Sequence, residues 1–333
     1  VAAVVGLIRQ LSPGVAACTL AAVVAAVVHA VVPAVPMLTA AVALGILVAQ
    51  VPSARPLLGG ELAPGLRFSS RSLMRAGIVL LGLKLSLVDS AALGWGAILV
   101  VVGIVLATFA LTWALGQALR LPGREPLLLA AGFAICGASA IGAMAGATRT
   151  REQEQATPVA LVTLCGTLAI AVLPALQGPF GLSDVQFGHW VGASVHDVGQ
   201  VVATAQVAGG SALAVAVLVK LTRVVMLAPM VAVAAAVTRR RGESGGSRPA
   251  IVPLFVVGFL SAVLLRTLLP LPAELIAVAD TAQTWLLAAA LVALGSAVRV
   301  RALLTTGWRA LVVALVSWAS IAAMGLAAVQ LAL

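Results

Sequence analysis

LGWGAILVVVGIVLATFALTWALGQAL, residues 93–119, carries no ionisable side chain from end to end. A helix needs about 20 apolar residues to cross the ~30 Å hydrocarbon core of a bilayer, so this stretch can span a membrane. Similar runs flank it on both sides, at 15–32, 36–52, 126–148, 155–177, 211–237, 250–268, 281–298 and 308–333. Two weaker runs carry charge: 72–88 holds Arg75 and Lys84, and 185–207 holds His189, His196 and Asp197. Together they predict about eleven transmembrane helices in one all-α, polytopic domain, 1–333.

Composition excludes the alternatives. Of the 333 residues 62% are hydrophobic and 9% charged, against about 25% charged in a soluble domain. Ten acids and twenty bases cannot furnish a water-facing exterior for a chain of this size. No soluble catalytic or nucleotide-binding domain fits between the runs, and no cleavable signal peptide stands out. Cys18, Cys136 and Cys165 all lie in apolar stretches without ligand spacing, so neither a disulfide framework, a metal nor another cofactor is expected.

The net charge of +10 reports topology rather than nucleic acid, because most bases sit between the apolar runs. With the N-terminus inside, fourteen fall on the cytoplasmic side: Arg9; Arg55, Arg67, Arg71 and Arg75; Arg120 and Arg124; Arg239, Arg240, Arg241 and Arg248; Arg299, Arg301 and Arg309. Lys84, Arg149, Arg151 and Arg266 fall outside, and Lys220 and Arg223 lie within a span. This predicts a cytoplasmic N-terminus, an external C-terminus and a basic cytoplasmic loop at 238–249. The segment Leu80–Ala97 aligns with Ala293–Ala310 at an offset of 213, pairing Gly94-Trp95 with Gly307-Trp308. Seven crossings apart, the copies would be inverted, a pattern common in secondary transporters, although an Ala/Leu/Gly-rich chain also produces such matches by chance.

Ionisable groups within spans are costly and concentrate at functional sites. Asp197 is the carboxylate in the middle of a span, within GASVHDVGQVVA (Gly192–Ala203). Helical spacing places His196 and Gln200 on one face with Asp197 beside them. In VKLTRV (Val219–Val224), Lys220 and Arg223 stand at i and i+3. Two cations against one anion favour an anionic ligand, and the plainer reading is that Asp197 pairs with Lys220 or Arg223 to hold helices together. Gly137, Ala138 and Ser139 form a GAS tripeptide that recurs at Gly192, Ala193 and Ser194. Glycine followed by a hydroxyl permits a helix to unwind and offer N–H groups to a ligand, while Gly132, Gly137, Gly142 and Gly146 also suit close helix packing.

At these motifs the chain resembles the bacterial YeiH-type membrane proteins, a family named for sulfate export. The resemblance rests on GIVLLGLKLSL (Gly77–Leu87), FAICGASAIGA (Phe133–Ala143), GASVHDVGQVVA, VKLTRVVMLAP (Val219–Pro229) and the GW segment near Trp308. It implies a secondary carrier of the bacterial inner membrane related to the cation/proton antiporter and bile-acid transporter superfamily, with discontinuous helices at the bilayer midplane. The expected cargo is a small anion, a sulfur oxyanion or sulfonate, exported with proton coupling. An anion channel and a sodium-coupled organic-anion symporter are the alternatives.

The expected substrate-binding set is Gly137, Ala138, Ser139, Gly192, Ser194, His196, Lys220 and Arg223. The expected coupling set is His196, Asp197 and Gln200, with protons or sodium as the coupling ion. The expected partners are the anion, that ion and the lipid bilayer, with room for a homodimer and none for nucleic acid. No metal-protease, prenyl-diphosphate or nucleophile-elbow motif is present, so an enzyme is not expected.

Overall fold

The structure, a computed structural model, describes residues 2–33, 35–84, 94–240, 254–297 and 307–332. Among them there is no strand. The helices are α1 (Ala2–Val31), α2 (Met37–Gln50), α3 (Arg55–Gly59), α4 (Ala63–Phe68), α5 (Met74–Leu81), α6 (Gly94–Ala118), α7 (Glu125–Ala134), α8 (Ala138–Thr148) and α9 (Glu152–Gln177). They continue with α10 (Asp184–Ser194), α11 (Val198–Ala205), α12 (Gly210–Val225), α13 (Leu227–Arg240), α14 (Leu254–Leu268), α15 (Ala273–Ser296) and α16 (Trp308–Ala332).

Six stretches of the described residues are long and apolar enough to cross a bilayer, at 9–31, 96–118, 154–177, 210–238, 273–296 and 308–331. The pair α2 and 52–59, bent by 90° where Pro52 interrupts the ladder, makes a seventh if its two arms form one span rather than a re-entrant loop. The chain is thus a polytopic all-α membrane protein.

It divides into two compact units. The first comprises residues 1–91 and 254–300, the second 92–253 and 301–333. In the first, α1 meets α4 at Gly14 and Gly65, and α2 meets α15 at Gly45 and Gly295. A Cβ at any of these four would overlap the facing backbone, so glycine sets the interaxial distance. Between α4 and α5 the helix widens into a π turn at Ser69–Leu73. Half of each copy of the proposed repeat of 80–97 on 293–310 lies outside the described residues, as does most of the basic loop 238–249.

The second unit revises the count of about eleven crossings. The run 126–148 does not traverse the membrane but doubles back. Gly132 on α7 packs against Ile141 on α8, and a Cβ at Gly123 would sit 2.9 Å from the Glu154 carboxylate. Were α7 and α8 one straight span, residues 123 and 154 would lie on opposite membrane surfaces, about 30 Å apart. The run 185–207 doubles back too. Gly188 abuts Ala212 and Gly192 abuts Ala216, so α10 and α12 run parallel with their starts side by side, and α11 has to return the chain between them. Apolar periodicity cannot distinguish a crossing from a hairpin of the same length, because both arms meet the same hydrocarbon.

The two hairpins enter from opposite sides. α9 crosses once between them, from the base of the first, at 149–154, to the base of the second, at 178–183. Each hairpin is followed by a crossing helix, so 125–177 and 184–240 are modules of inverted orientation. This places Arg149 and Arg151 on the same side as Arg120, Arg124, Arg239 and Arg240, whereas the segments 178–183 and 206–209 contain no lysine or arginine. The assignment of 149–154 to the face opposite 120–124 is therefore corrected, and within this unit the charge asymmetry sharpens.

Candidate substrate site at the meeting of two hairpin tips

The tips meet halfway along α9. A Cβ at Gly137 would touch Val162 on α9 at 3.3 Å and the backbone of His196 and Asp197 at 3.6 Å. Each tip is a short break in a helix. In the first, α7 stops at Ile135, and α8 begins after Gly137, whose φ of +67° is one that side chains with a Cβ seldom adopt. In the second, Val195 and Asp197 are extended, with ψ of 146° at both. His196 stands in this break rather than on a helical face shared with Gln200, which corrects the spacing argument.

Four helix ends converge here, two arriving and two departing. Arriving ends expose carbonyls and carry about −0.5 charge each, and departing ends expose N–H groups with about +0.5. Lys220 and Arg223, fully buried on α12, serve the arriving ends. Arg223 donates from Nε to Ala134 (3.1 Å), from Nη2 to Phe133 (3.0 Å) and Ala134 (2.9 Å), and from Nη1 to Gly192 (3.2 Å), Ala193 (2.9 Å) and Val195 (2.9 Å). Lys220 Nζ donates to the Ile135 carbonyl and to Val195 at 3.0 Å. One guanidinium thus ties the C-terminus of α7 to that of α10. The cations face the interior, where they cap carbonyls and set the local field.

The departing ends differ from each other. Asp197 caps α11, accepting from the Gly199 N–H at 2.8 Å, and Gln200 returns the bond by accepting from the Asp197 N–H at 3.2 Å. Gln200 also donates to the Thr163 carbonyl on α9 at 3.2 Å, fitting where Gly166 has no side chain. The start of α8 has no side-chain cap, and Ala138 and Ser139 are exposed. The first N–H groups of that helix have no partner within it. With both cations charged, the two arriving ends and Asp197 offset them, and the departing ends leave roughly one positive charge at the tips.

The remaining candidates are placed as follows. His196 is fully buried, its ring edge-on to Phe133 at 4.6 Å, and neither ring nitrogen finds a hydrogen-bond partner among the described residues. Ser194 is buried against α16 beside Gly325, and Gly192 supports the close approach of α10 to α12. The structure brings Gly137, Ala138, His196, Asp197, Lys220 and Arg223 to one place, with Ser139 beside them and exposed. Thr163, Gly166 and Phe133 were not among the sequence candidates. A threonine and a glycine in an apolar run carry no signal of their own, and only the neighbouring Gln200 marks them. No group of three or more metal-ligating side chains occurs among the described residues.

The family model described as Conserved hypothetical protein 698 matches residues 13–314. A UPF0324 membrane protein of Corynebacterium glutamicum is 39% identical over 97% of this chain and 93% of its own length. A UPF0324 membrane protein of Pseudomonas aeruginosa is 36% identical over 83% and 81%, and one of Staphylococcus epidermidis 31% over 77% of each chain. No solved structure matches the chain.

Proposed function

The chain belongs to the family of Conserved hypothetical protein 698, and from that premise and the geometry of the tips we propose that it is a secondary carrier for a small anion. The observation that carries the reading is the uncapped, accessible start of α8, beside two tips whose carbonyls are already occupied by Lys220 and Arg223. The anion binds to the N–H groups of Ala138 and Ser139 and to the Ser139 hydroxyl, in the positive field of the two buried cations. Sulfur oxyanions and sulfonates suit such a cradle, being small and rich in acceptors. No catalytic step is part of this reading.

We assign proton coupling to Asp197, the half-buried carboxylate at the facing tip. Protonating it removes the negative charge opposing the anion and weakens the charge-assisted cap on α11. His196, packed behind it on Phe133, senses the same change. The basic face of the second unit is cytoplasmic in this reading, in a bacterial inner membrane.

The test is transport by the purified chain in proteoliposomes. Saturable counterflow of labelled sulfate, sulfite, thiosulfate or a small sulfonate supports a carrier. Conductance without counterflow indicates a channel, and the absence of binding and transport of all four at pH 6 and pH 8 removes this substrate class.

A further inference from the structure

A cavity of about 560 Å³ lies within the second unit, on its basic side and away from the tips. It runs between α6, the first hairpin and α13. At its inner end stand Leu106, Met144 and Met226, the last just beyond Arg223 at the midplane, and at its outer end Arg124, Thr148 and Thr238. Along α13 the distance from Met226 to Thr238 is about 18 Å, close to the ~15 Å depth of one leaflet's hydrocarbon. The slot opens laterally: Leu106, Trp113, Val233 and Val237 line it and are between 46% and 64% exposed. On a membrane-spanning unit these apolar groups face hydrocarbon.

We propose that this slot is a binding site for one acyl chain of an anionic phospholipid, whose phosphate is held at Arg124. The lining apart from its outer end is apolar, which suits an acyl chain and excludes a small hydrophilic anion from its depth. Charge selects the headgroup. Arg124 occupies the N-cap position of α7 at the mouth, the exposed Arg120 and Arg149 stand at the neighbouring helix ends of the same face, and Glu125 and the Arg151–Glu154 ion pair lie beside them. Arg120, Arg124, Arg149 and Arg151 outnumber Glu125, Glu152 and Glu154 on this face, and a zwitterionic headgroup gains less from that positive excess than a net anionic one. The occupant touches both Met144 on the returning arm of the hairpin and Met226 at the junction of α12 and α13. It thereby braces the two elements that carry the tip and its cations, whatever the carrier moves.

The experiment uses the purified full chain with phosphatidylglycerol and phosphatidylcholine. Native mass spectrometry is expected to show one retained phosphatidylglycerol, displaced poorly by phosphatidylcholine. Arg124→Gln should weaken phosphatidylglycerol retention about fivefold, the equivalent of ~1 kcal/mol per interfacial cation, and remove most of the headgroup preference. Ala234→Trp fills the slot and should abolish retention, and Ala234→Leu should reduce it in part if the larger substitution disturbs folding. A measurement independent of those variants is fluorescence quenching by acyl-brominated lipid. Brominated phosphatidylglycerol should quench more than brominated phosphatidylcholine, and Trp113→Phe should erase the difference. Equal retention of both lipids by the wild-type chain, undiminished retention by Ala234→Trp, or a slot occupied by a second copy of the chain in a lipid-free dimer would each overturn the proposal.

Discussion

Replacing Arg223 with leucine separates a structural cation from a substrate-gripping one. The side chain serves five carbonyls, those of Phe133, Ala134, Gly192, Ala193 and Val195, through six hydrogen bonds, all in a site closed to solvent. A buried carbonyl deprived of its donor costs about 1–3 kcal/mol, and the losses do not add because the tips can relax together. Removal of one partner from a buried charged cluster typically costs about 3–5 kcal/mol, and that is the expected loss here. At about 2–4 °C per kcal/mol for a unit of this size, the thermal midpoint falls by on the order of 10 °C. The assay is the thermal midpoint of the detergent-purified chain, followed by loss of the monodisperse chromatographic peak, with Arg223→Lys recovering part of the loss. If Arg223→Leu leaves the midpoint within a degree or two of wild type while abolishing anion binding, the guanidinium faces substrate and the capping argument is wrong.

Cysteines introduced by Gly123→Cys and Glu154→Cys in a background lacking the native three should crosslink efficiently, because both ends of the first hairpin share one surface; failure with a short crosslinker, together with labelling of the two from opposite sides, would restore a straight crossing. Ser139→Ala should weaken anion binding about fivefold, the loss of a hydrogen bond of ~1 kcal/mol, without shifting the thermal midpoint, which isothermal titration and the melting assay read separately. Asp197→Asn imitates the protonated carboxylate, so it should bind the anion more tightly than wild type at pH 8 and transport it without moving protons; proton-coupled transport by this variant would exclude Asp197 from coupling. Gly137→Val places a β-branched residue at a φ of +67° and against Val162, and should destabilise by about 2–3 kcal/mol, visible in the same melting assay.

The amino-acid sequence by itself determined that this chain lives in a bilayer, which segments are buried in hydrocarbon, and which polar residues are too costly there to be idle. Those conclusions need only composition and spacing, because the transfer cost of Lys220, Arg223 and Asp197 holds in any fold. Glycine at the tips was also legible, since Gly137 marks a place where a helix can break. The direction of the chain after each break was not. EPLLLAAGFAICGASAIGAMAGAT reads the same whether α8 continues onward or returns, since hydrocarbon surrounds either course, and only the Gly132–Ile141 and Gly123–Glu154 approaches decide it. That decision moved Arg149 and Arg151 to the basic face.

The roles of the cations depended on tertiary structure for a related reason. Sequence places Lys220 and Arg223 three residues apart on one helix. Their partners are carbonyls of Phe133, Ala134, Ile135, Gly192, Ala193 and Val195, which every residue possesses and no motif can advertise. Two helix ends had to be brought together before their uncapped carbonyls became the reason for two buried positive charges.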